Sequence, residues 1–154
     1  DTRSLADDSS GDQLQRSLEA AGHRLHERQL CLDDRYQIRR ELSRWIADPA
    51  VDVMITSGGT GLTGRDGTPE AVVPLLDKTI EGFGELFRVL SFESIGTSTL
   101  QSRCLAGVAN GTFVFVLPGS LDAVTTAWDR LIRAQLDEQT RPCNLAQLRA
   151  RLKE

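Results

Sequence analysis

Cysteine is scarce in this sequence, with three residues in 154: Cys31, Cys104 and Cys143. Their spacings match no metal-binding pattern, and an odd number cannot pair completely into disulfides. The simplest interpretation is that all three are reduced thiols that pack as small hydrophobic side chains. Long apolar runs are also lacking, since no stretch approaches the ~20 residues of a membrane-spanning helix, and no signal peptide is recognisable. These absences predict a cytoplasmic protein that does not enter a membrane.

The sequence also lacks an excess of basic residues, because 18 lysines and arginines stand against 22 acidic residues, for a net charge of −4. The acidic residues are spread along the chain, whereas a nucleic-acid-binding surface needs a basic stripe. We therefore expect a small-molecule ligand and no nucleic acid. With 40% hydrophobic residues, the chain is long enough to bury one core, which predicts a single domain over residues 1–154.

Only two lysines are present, Lys78 and Lys153. Glycine, in contrast, is concentrated, since five of the 13 glycines lie within residues 58–67. An apolar run that ends at Ile55 precedes them and predicts a buried strand. The Thr68-Pro69 pair after them is suited to be the cap and first residue of a helix. Because glycine amides and a helix N-terminus both favour phosphate, this segment is the first candidate for a binding site.

Other interpretations of this glycine loop are weaker or remain open. A P-loop requires a lysine and a serine or threonine directly after its last glycine, and this loop carries Arg65 and Asp66 instead. Gly59, Gly61 and Gly64 fit the dinucleotide-binding pattern G-x-G-x-x-G, but the helix should then begin within the pattern. A surface turn with a solvated Arg-Asp pair is the structural alternative. If the loop binds phosphate, Arg65 can donate to it, whereas Asp66 needs a divalent cation in between, which points to a nucleotide carried with magnesium.

Hydrophobic periodicity predicts an alternation of strands and helices along the chain. The predicted strands cover residues 24–32, 51–55 and 112–118. The predicted helices cover residues 14–21, 35–47, 69–80 with a kink or early end at Pro74, 86–91, 97–110, 120–135 and 145–153. We therefore expect an α/β fold with a mostly parallel sheet, right-handed crossovers and helices on both faces.

Ligands of such sheets bind beyond the carboxyl ends of the strands. Three predicted loops leave strands there: Asp33-Asp34, residues 58–66 and residues 118–120. Asp33 or Asp34, together with Asp66, can hold Mg²⁺ against a nucleoside triphosphate while loop amides and Arg65 hold its phosphates. Capping of the following helix is the alternative role of Asp33 and Asp34. Nucleotidyl transfer depends mainly on positioning and charge neutralisation, so no nucleophilic side chain is required.

Short motifs follow one another along the chain in a fixed order. They are GGTG at residues 58–61, RD at 65–66, TPEA at 68–71, EGFGE at 81–85, SIGTSTLQSR at 94–103, PGS at 118–120 and TRPCN at 140–144. Together they resemble the signature of the MoaB/MogA family of molybdenum cofactor biosynthesis proteins, and within it the MoaB branch. The resemblance covers nearly the whole chain. It further implies that residues 1–4 are the loop after the family's first strand, which would precede residue 1.

The resemblance implies a three-layer α/β/α fold with a MogA-like, Rossmann-like topology. It also implies a reaction, because MogA-type members join AMP from Mg-ATP to the terminal phosphate of molybdopterin with loss of pyrophosphate. The family's paired functional aspartates map onto Asp33 and Asp66, with Asp34 as the alternative to Asp33, and these carboxylates would also hold the metal. The implied substrate-binding residues are Gly58, Gly59, Thr60, Gly61, Arg65, Glu70, Ser102, Arg103, Pro118, Gly119 and Ser120. Family members assemble as homotrimers or as homohexamers made of two trimers.

Three functional hypotheses follow. The first is a Mg-ATP-dependent molybdopterin adenylyltransferase. The second is a molybdopterin-binding protein without turnover, since Ser120-Leu121 replaces the Asn-Pro that often follows Pro-Gly in catalytic relatives. The third is a dinucleotide-dependent oxidoreductase, which rests only on the G-x-G-x-x-G match.

Overall fold

The computed structural model describes residues 7–154, so the loop expected at residues 1–4 lies outside the described residues. The helices are α1 (Ser9–Ala20), α2 (Arg35–Ala47), α3 (Thr68–Val72), α4 (Glu81–Ile95), α5 (Leu121–Ala127) and α6 (Arg133–Gln135). The strands are β1 (Val53–Ser57), β2 (Lys78–Thr79), β3 (Leu105–Ala109) and β4 (Thr112–Leu117). Short 3₁₀ segments cover Val73–Leu75, Gly96–Gln101 and Ala146–Arg151, and a π-helical turn at Trp128–Ile132 joins α5 to α6.

The four strands form one sheet in the order β1-β4-β3-β2. β1 and β4 are parallel, in a register that pairs Val53 with Phe113 and Ser57 with Leu117. The β4–β3 and β3–β2 pairs are antiparallel. The α/β class is therefore confirmed, whereas the expectation of a mostly parallel sheet does not hold for the described strands.

A tight hairpin between β3 and β4 explains much of this difference. Asn110 has φ 48° and Gly111 has φ 83°, and two residues with positive φ are what a two-residue hairpin turn requires. The predicted helix over residues 97–110 is therefore wrong. Its first part is the 3₁₀ segment Gly96–Gln101 and its second part is β3. Ser102 and Arg103 lie in the connection between the two and not on a helix.

The predicted strand at residues 24–32 is wrong, because this segment has no regular secondary structure. Side chains hold this segment in place instead. Arg28 Nη2 and Nη1 contact Asp8 Oδ2 at 2.9 Å and Asp12 Oδ1 at 2.7 Å at the start of α1. Glu27 accepts hydrogen bonds from Arg44 and from the Trp45 indole of α2. The apolar residues of this segment were therefore not evidence for a strand.

The predicted helix at 35–47 is confirmed as α2, and the early end expected at Pro74 is confirmed by the stop of α3 at Val72. The remainder of the predicted 69–80 helix is a 3₁₀ segment over Val73–Leu75, after which the chain turns into β2. The helix predicted at 86–91 is confirmed as part of α4, which is longer and includes Gly82 and Gly84. The predicted 120–135 helix is present as the nearly continuous run α5, π-turn and α6.

Every residue of β4 is buried, and its side chains alternate between two core clusters. Phe113, Phe115 and Leu117 belong to the larger cluster, which side chains of α1, α4 and α5 complete. Val114 and Val116 belong to the second, together with side chains of α2 and α3. Strand β4 is therefore the central element of the core. None of the helices within residues 7–154 combines the length and apolar character needed to cross a membrane.

The contacts of Glu27 predict a measurable pH dependence. Hydrogen bonds from Arg44 and Trp45 lower the pKa of Glu27 from 4.5 to about 2. A carboxylate whose pKa is depressed by folding stabilises the fold above its ordinary pKa, and this contribution is lost as the pH falls through the folded value. We expect Glu27→Gln to lower the urea midpoint at pH 7, and the difference from wild type to shrink between pH 4.5 and 2. Glu93→Gln, at an exposed position of α4, is the control, and a difference that is independent of pH would contradict the assignment.

Candidate functional site

Two loops lie side by side where the parallel strands β1 and β4 end. The amide of Gly58 donates to the Leu117 carbonyl at 2.9 Å. A Cβ built on Gly119 would lie 3.2 Å from Gly58 Cα. Ser10 of α1 is buried and donates from Oγ to the Gly119 carbonyl at 2.9 Å. The glycine loop (residues 58–66) and the Pro-Gly loop (residues 118–120) therefore form one surface.

The base of the glycine loop requires glycine. Gly58 has φ 109° and Gly59 has φ 66°, values that other residues rarely adopt. A Cβ on Gly59 would lie only 2.3 Å from Thr68 Oγ1. The Gly59 carbonyl accepts from the Thr68 amide at 3.1 Å, which closes the loop onto α3. Gly67 and not Thr68 is the N-cap residue, and because α3 has only five residues its dipole contributes little to the site.

Asp66 locks the turn at the outer end of the glycine loop. Its Oδ2 atom accepts from Thr63 Oγ1 at 2.6 Å and from the Thr63 amide at 2.9 Å, and its own amide donates to the Thr63 carbonyl at 3.0 Å. These Thr63 contacts are the main reason that the pKa of Asp66 lies below its ordinary value, with a further contribution from Arg103. Asp66 is therefore ionised at neutral pH. Sequence analysis missed Thr63, although the Thr-x-x-Asp spacing is the capping-box pattern, in which the two residues bond to each other.

Arg103 connects several residues of the glycine loop through its side chain and its amide. Its Nε donates to the Gly61 carbonyl at 2.9 Å and its Nη2 donates to the Asp66 carbonyl at 2.8 Å. Its Nη1 pairs with the Glu70 carboxylate of α3, and this contact lowers the pKa of Glu70. The Arg103 amide also donates to the Thr60 carbonyl at 3.3 Å.

The two neighbouring aspartates before α2 have different surroundings. Asp34 is the N-cap residue, since its Oδ1 accepts from the amides of Tyr36 at 3.0 Å and Gln37 at 2.8 Å. Asp33 faces the glycine loop, and its Oδ2 lies 3.8 Å from Arg65 Nη2. Asp33 and Asp66 therefore lie on the same side of the molecule. The Arg65 side chain is 75% exposed.

One cavity of about 1010 Å³ unites these groups and continues along the edge of β1 to residues 23–31, which precede Asp33. Most of the residues predicted from sequence line it: Asp33, Gly58, Gly59, Thr60, Gly61, Arg65, Asp66, Ser102, Pro118, Gly119 and Ser120. Three predicted residues are not among its lining: Asp34, Glu70 and Arg103. At the two loops the cavity thus combines their backbone amides with the carboxylates of Asp33 and Asp66 and the exposed guanidinium of Arg65. Such a set suits a ligand that carries phosphate.

Both a protein family and individual relatives match this chain over most of its length. A family described as "Probable molybdopterin binding domain" matches residues 2–138. Molybdenum cofactor biosynthesis protein B of Escherichia coli strain K12 is 54% identical over 142 residues, which cover 92% of this chain and 84% of that protein.

Solved structures agree with the sequence comparison. A crystal structure of a molybdenum cofactor biosynthesis protein B superimposes with a TM-score of 0.85 and 43% identity, covering 88% of this chain and 85% of that one. The molybdopterin biosynthesis Mog protein of Mycobacterium ulcerans superimposes with a TM-score of 0.77 and 33% identity, covering 85% and 84% of the two chains.

The glycine loop offers a matched pair of substitutions. Gly59→Ala should destabilise the fold by at least about 1–2 kcal/mol, because alanine would adopt a left-handed conformation and would also meet Thr68 Oγ1. Gly64→Ala should change the stability by less than about 1 kcal/mol, because Gly64 has no positive φ and a Cβ there meets nothing within 4 Å. Urea denaturation measures both. Equal stabilities of the two variants would contradict this description of the loop.

Proposed function

This chain belongs to the MoaB/MogA family of molybdenum cofactor biosynthesis proteins, and from that premise we propose that it binds molybdopterin and adenylylates it with ATP and Mg²⁺ in the cytoplasm. The observation that carries the proposal is the position of Asp33 and Asp66 on one cavity with the glycine loop and the Pro-Gly loop. The core clusters on the two faces of β4 support the three-layer arrangement expected of this family.

The phosphate groups of the ligands would lie against the two loops. Gly58, Gly59 and Gly119 have no side chain that would keep a ligand away from the backbone, so amides can approach phosphate oxygens closely. Arg65 is exposed enough to turn toward a phosphate, since its contact with Asp33 is long at 3.8 Å. Exposed ion pairs of this kind contribute little energy, so a ligand can replace the contact at little expense.

The carboxylates fit Mg²⁺ as part of a nucleotide complex. The described residues contain no group of three or more side chains that could hold a metal ion by themselves. Magnesium in nucleotide-dependent enzymes is commonly held by one or two carboxylates together with the phosphates of the substrate. Asp33 and ionised Asp66 supply two carboxylates, while Asp34 caps α2. We therefore assign metal binding to Asp33 and Asp66, where the bound cation would neutralise phosphate charge.

The reaction would need no side chain as nucleophile. An oxygen of the terminal phosphate of molybdopterin attacks the α-phosphorus of ATP, and a new P–O bond forms. The bond from the α-phosphorus to the bridging oxygen of the β-phosphate breaks, and pyrophosphate leaves with the electron pair. The role of the protein is to align the two phosphates and to stabilise the charge that develops on them. Arg65 and the loop amides are placed for that role.

A molybdopterin-binding protein without turnover is the second candidate. The Oδ2 atom of Asp66 already accepts two hydrogen bonds from Thr63, which reduces its capacity to ligate a cation. Ser120, at the position of the family's asparagine, is used as the N-cap of α5 and accepts from the Ala123 amide. These contacts are compatible with a pocket that holds the pterin without transferring AMP to it.

An adenylylation assay distinguishes the two candidates. Purified protein with molybdopterin, ATP and Mg²⁺ should produce adenylylated molybdopterin and pyrophosphate, detected by mass spectrometry. Asp33→Asn and Asp66→Asn should each reduce the rate by about 100-fold or more, the scale on which one charge-stabilising group acts. Asp34→Ser, which retains a capping residue, should retain the rate. Saturable pterin binding without any AMP transfer would establish the second candidate, and a rate lost only in Asp34→Ser would reverse the assignment of the aspartates.

Self-association is the second part of the proposal. Four apolar side chains on α4 recur every three residues and are at least half exposed: Leu86, Val89, Phe92 and Ile95. Several exposed apolar side chains on one helix are typical of a surface that another protein covers. Together with the assembly expected of the family, it supports a homotrimer or a homohexamer in which further copies of this chain cover α4.

A charge placed in this row should dissociate the assembly. We expect Phe92→Glu to convert the oligomer into a folded monomer, as measured by size-exclusion chromatography with light scattering, because a buried unpaired carboxylate opposes association. Leu148→Glu, at an exposed apolar residue near the C-terminus, is the control and should leave the mass unchanged. An unchanged mass in Phe92→Glu would place the interface elsewhere.

A further inference from the structure

The two arginines of the site differ in what they contact. All three nitrogens of the Arg103 guanidinium contact protein groups, namely the carbonyls of Gly61 and Asp66 and the carboxylate of Glu70. Arg65 has one long contact with Asp33. The Arg103 side chain is 28% exposed and that of Arg65 is 75% exposed. Arg65, but not Arg103, is among the residues that line the cavity.

We propose that Arg103 is a positioning residue, which holds the glycine loop in its binding shape and does not itself bind the phosphates of the ligand. The family resemblance had placed Arg103 among the substrate-binding residues. The inference rests on the proposed function for what the loop binds, but the contacts of Arg103 with the loop are independent of any ligand.

The contacts of Arg103 lie at both ends of the turn that carries Arg65. Gly61 and Asp66 bracket residues 62–65, and Arg103 fixes the carbonyls of both bracketing residues. Thr63 and Asp66 close the same turn from inside. Arg103 therefore sets the direction in which Arg65 and the Asp66 carboxylate leave the backbone. Arg103 also pairs with Glu70, and this contact attaches the turn to α3.

Recruiting Arg103 to a phosphate would disrupt these contacts. The Gly61 and Asp66 carbonyls would lose their charge-assisted donor, and the Glu70 carboxylate would lose its cation. Arg65 would give up only its long contact with Asp33. The two guanidiniums thus have different roles: Arg103 holds the loop, and Arg65 contacts the ligand.

Lysine cannot replace Arg103 in this role. The planar fork of a guanidinium donates in several fixed directions at once, whereas an ammonium is a single point of charge. In Arg103→Lys the positive charge remains near the site, but only one of the three contacts can form with good geometry. The substitution therefore alters the conformation of the loop while the local charge is kept.

Amide hydrogen exchange without any ligand tests the holding role. The observed amides are those of Thr63 and Asp66, which donate within the turn. In Arg103→Lys their exchange should accelerate by about tenfold, the scale expected for the loss of a hydrogen bond to a charged group. The Gly58 amide, which donates to Leu117, should keep its wild-type rate and serves as the internal control. Arg65→Gln should leave all three rates unchanged.

The salt dependence of Mg-ATP binding tests whether Arg103 contacts phosphate. Arg65→Gln should weaken binding by about tenfold and reduce its dependence on salt, because one charged contact with phosphate is lost. Arg103→Gln removes one positive charge, as Arg65→Gln does, and it should weaken binding while the salt dependence stays closer to that of the wild type than in Arg65→Gln. A salt dependence reduced as much as in Arg65→Gln, with unchanged exchange of Thr63 and Asp66, would show that Arg103 is a ligand and would overturn the proposal.

A second variant covers the case in which Arg103→Lys does not fold. Glu70→Gln keeps an acceptor for Arg103 Nη1 and removes only the charge, so the same two amides should exchange faster by a smaller factor. Unchanged exchange in Glu70→Gln would likewise count against the holding role. If the wild type binds no ATP, the proposed function fails, and the exchange rates still decide the role of Arg103.

Discussion

The parallel pairing of β1 with β4 is the constraint on which the site depends. Its register places Ser57 beside Leu117, so the loops that follow these residues begin next to each other. Strands rise by about 3.3 Å per residue, and a slip of two residues would separate the loops by about 6.6 Å. The hydrogen bond from the Gly58 amide to Leu117 would then be lost. The core and the site are therefore linked, since the burial of β4 that fixes the register also fixes the loops.

Charge balance explains why a cation belongs to the proposed complex. The groups around the glycine loop include three carboxylates, those of Asp33, Asp66 and Glu70, and two guanidiniums, those of Arg65 and Arg103. With all of them ionised, the formal charge is −1. A polyphosphate would add several negative charges to this set. Two amide-lined loops supply partial positive charge only, so a divalent cation is the simplest means of offsetting the repulsion.

The parts of the site that sequence could predict are local. A buried apolar run followed directly by glycines identified β1 and its loop, and a second such run identified β4 and residues 118–120. Asp34 as a helix cap was also visible, because aspartate is a strong capping residue. The nearness of Asp33 to the glycine loop was inferred only through a strand predicted at 24–32, which the described residues do not form. Asp33 therefore lies beside the glycine loop as expected, although the strand on which that expectation depended is absent from the described residues.

The position of Arg103 could not be predicted from the local sequence, because it depends on the topology of the sheet. Residues 104–109 are apolar or glycine, so they fit a buried helix as well as a strand, and the predicted helix over residues 97–110 included Arg103. The Asn110-Gly111 pair instead indicated two strands, since it is a strong hairpin signal when apolar segments flank it. Once the hairpin forms, β3 is antiparallel to β4 and begins at Leu105, so the two residues before it return to the end of the sheet where the glycine loop lies. A turn of two residues thus determines that Arg103 reaches the carbonyls of Gly61 and Asp66, more than thirty positions earlier in the chain.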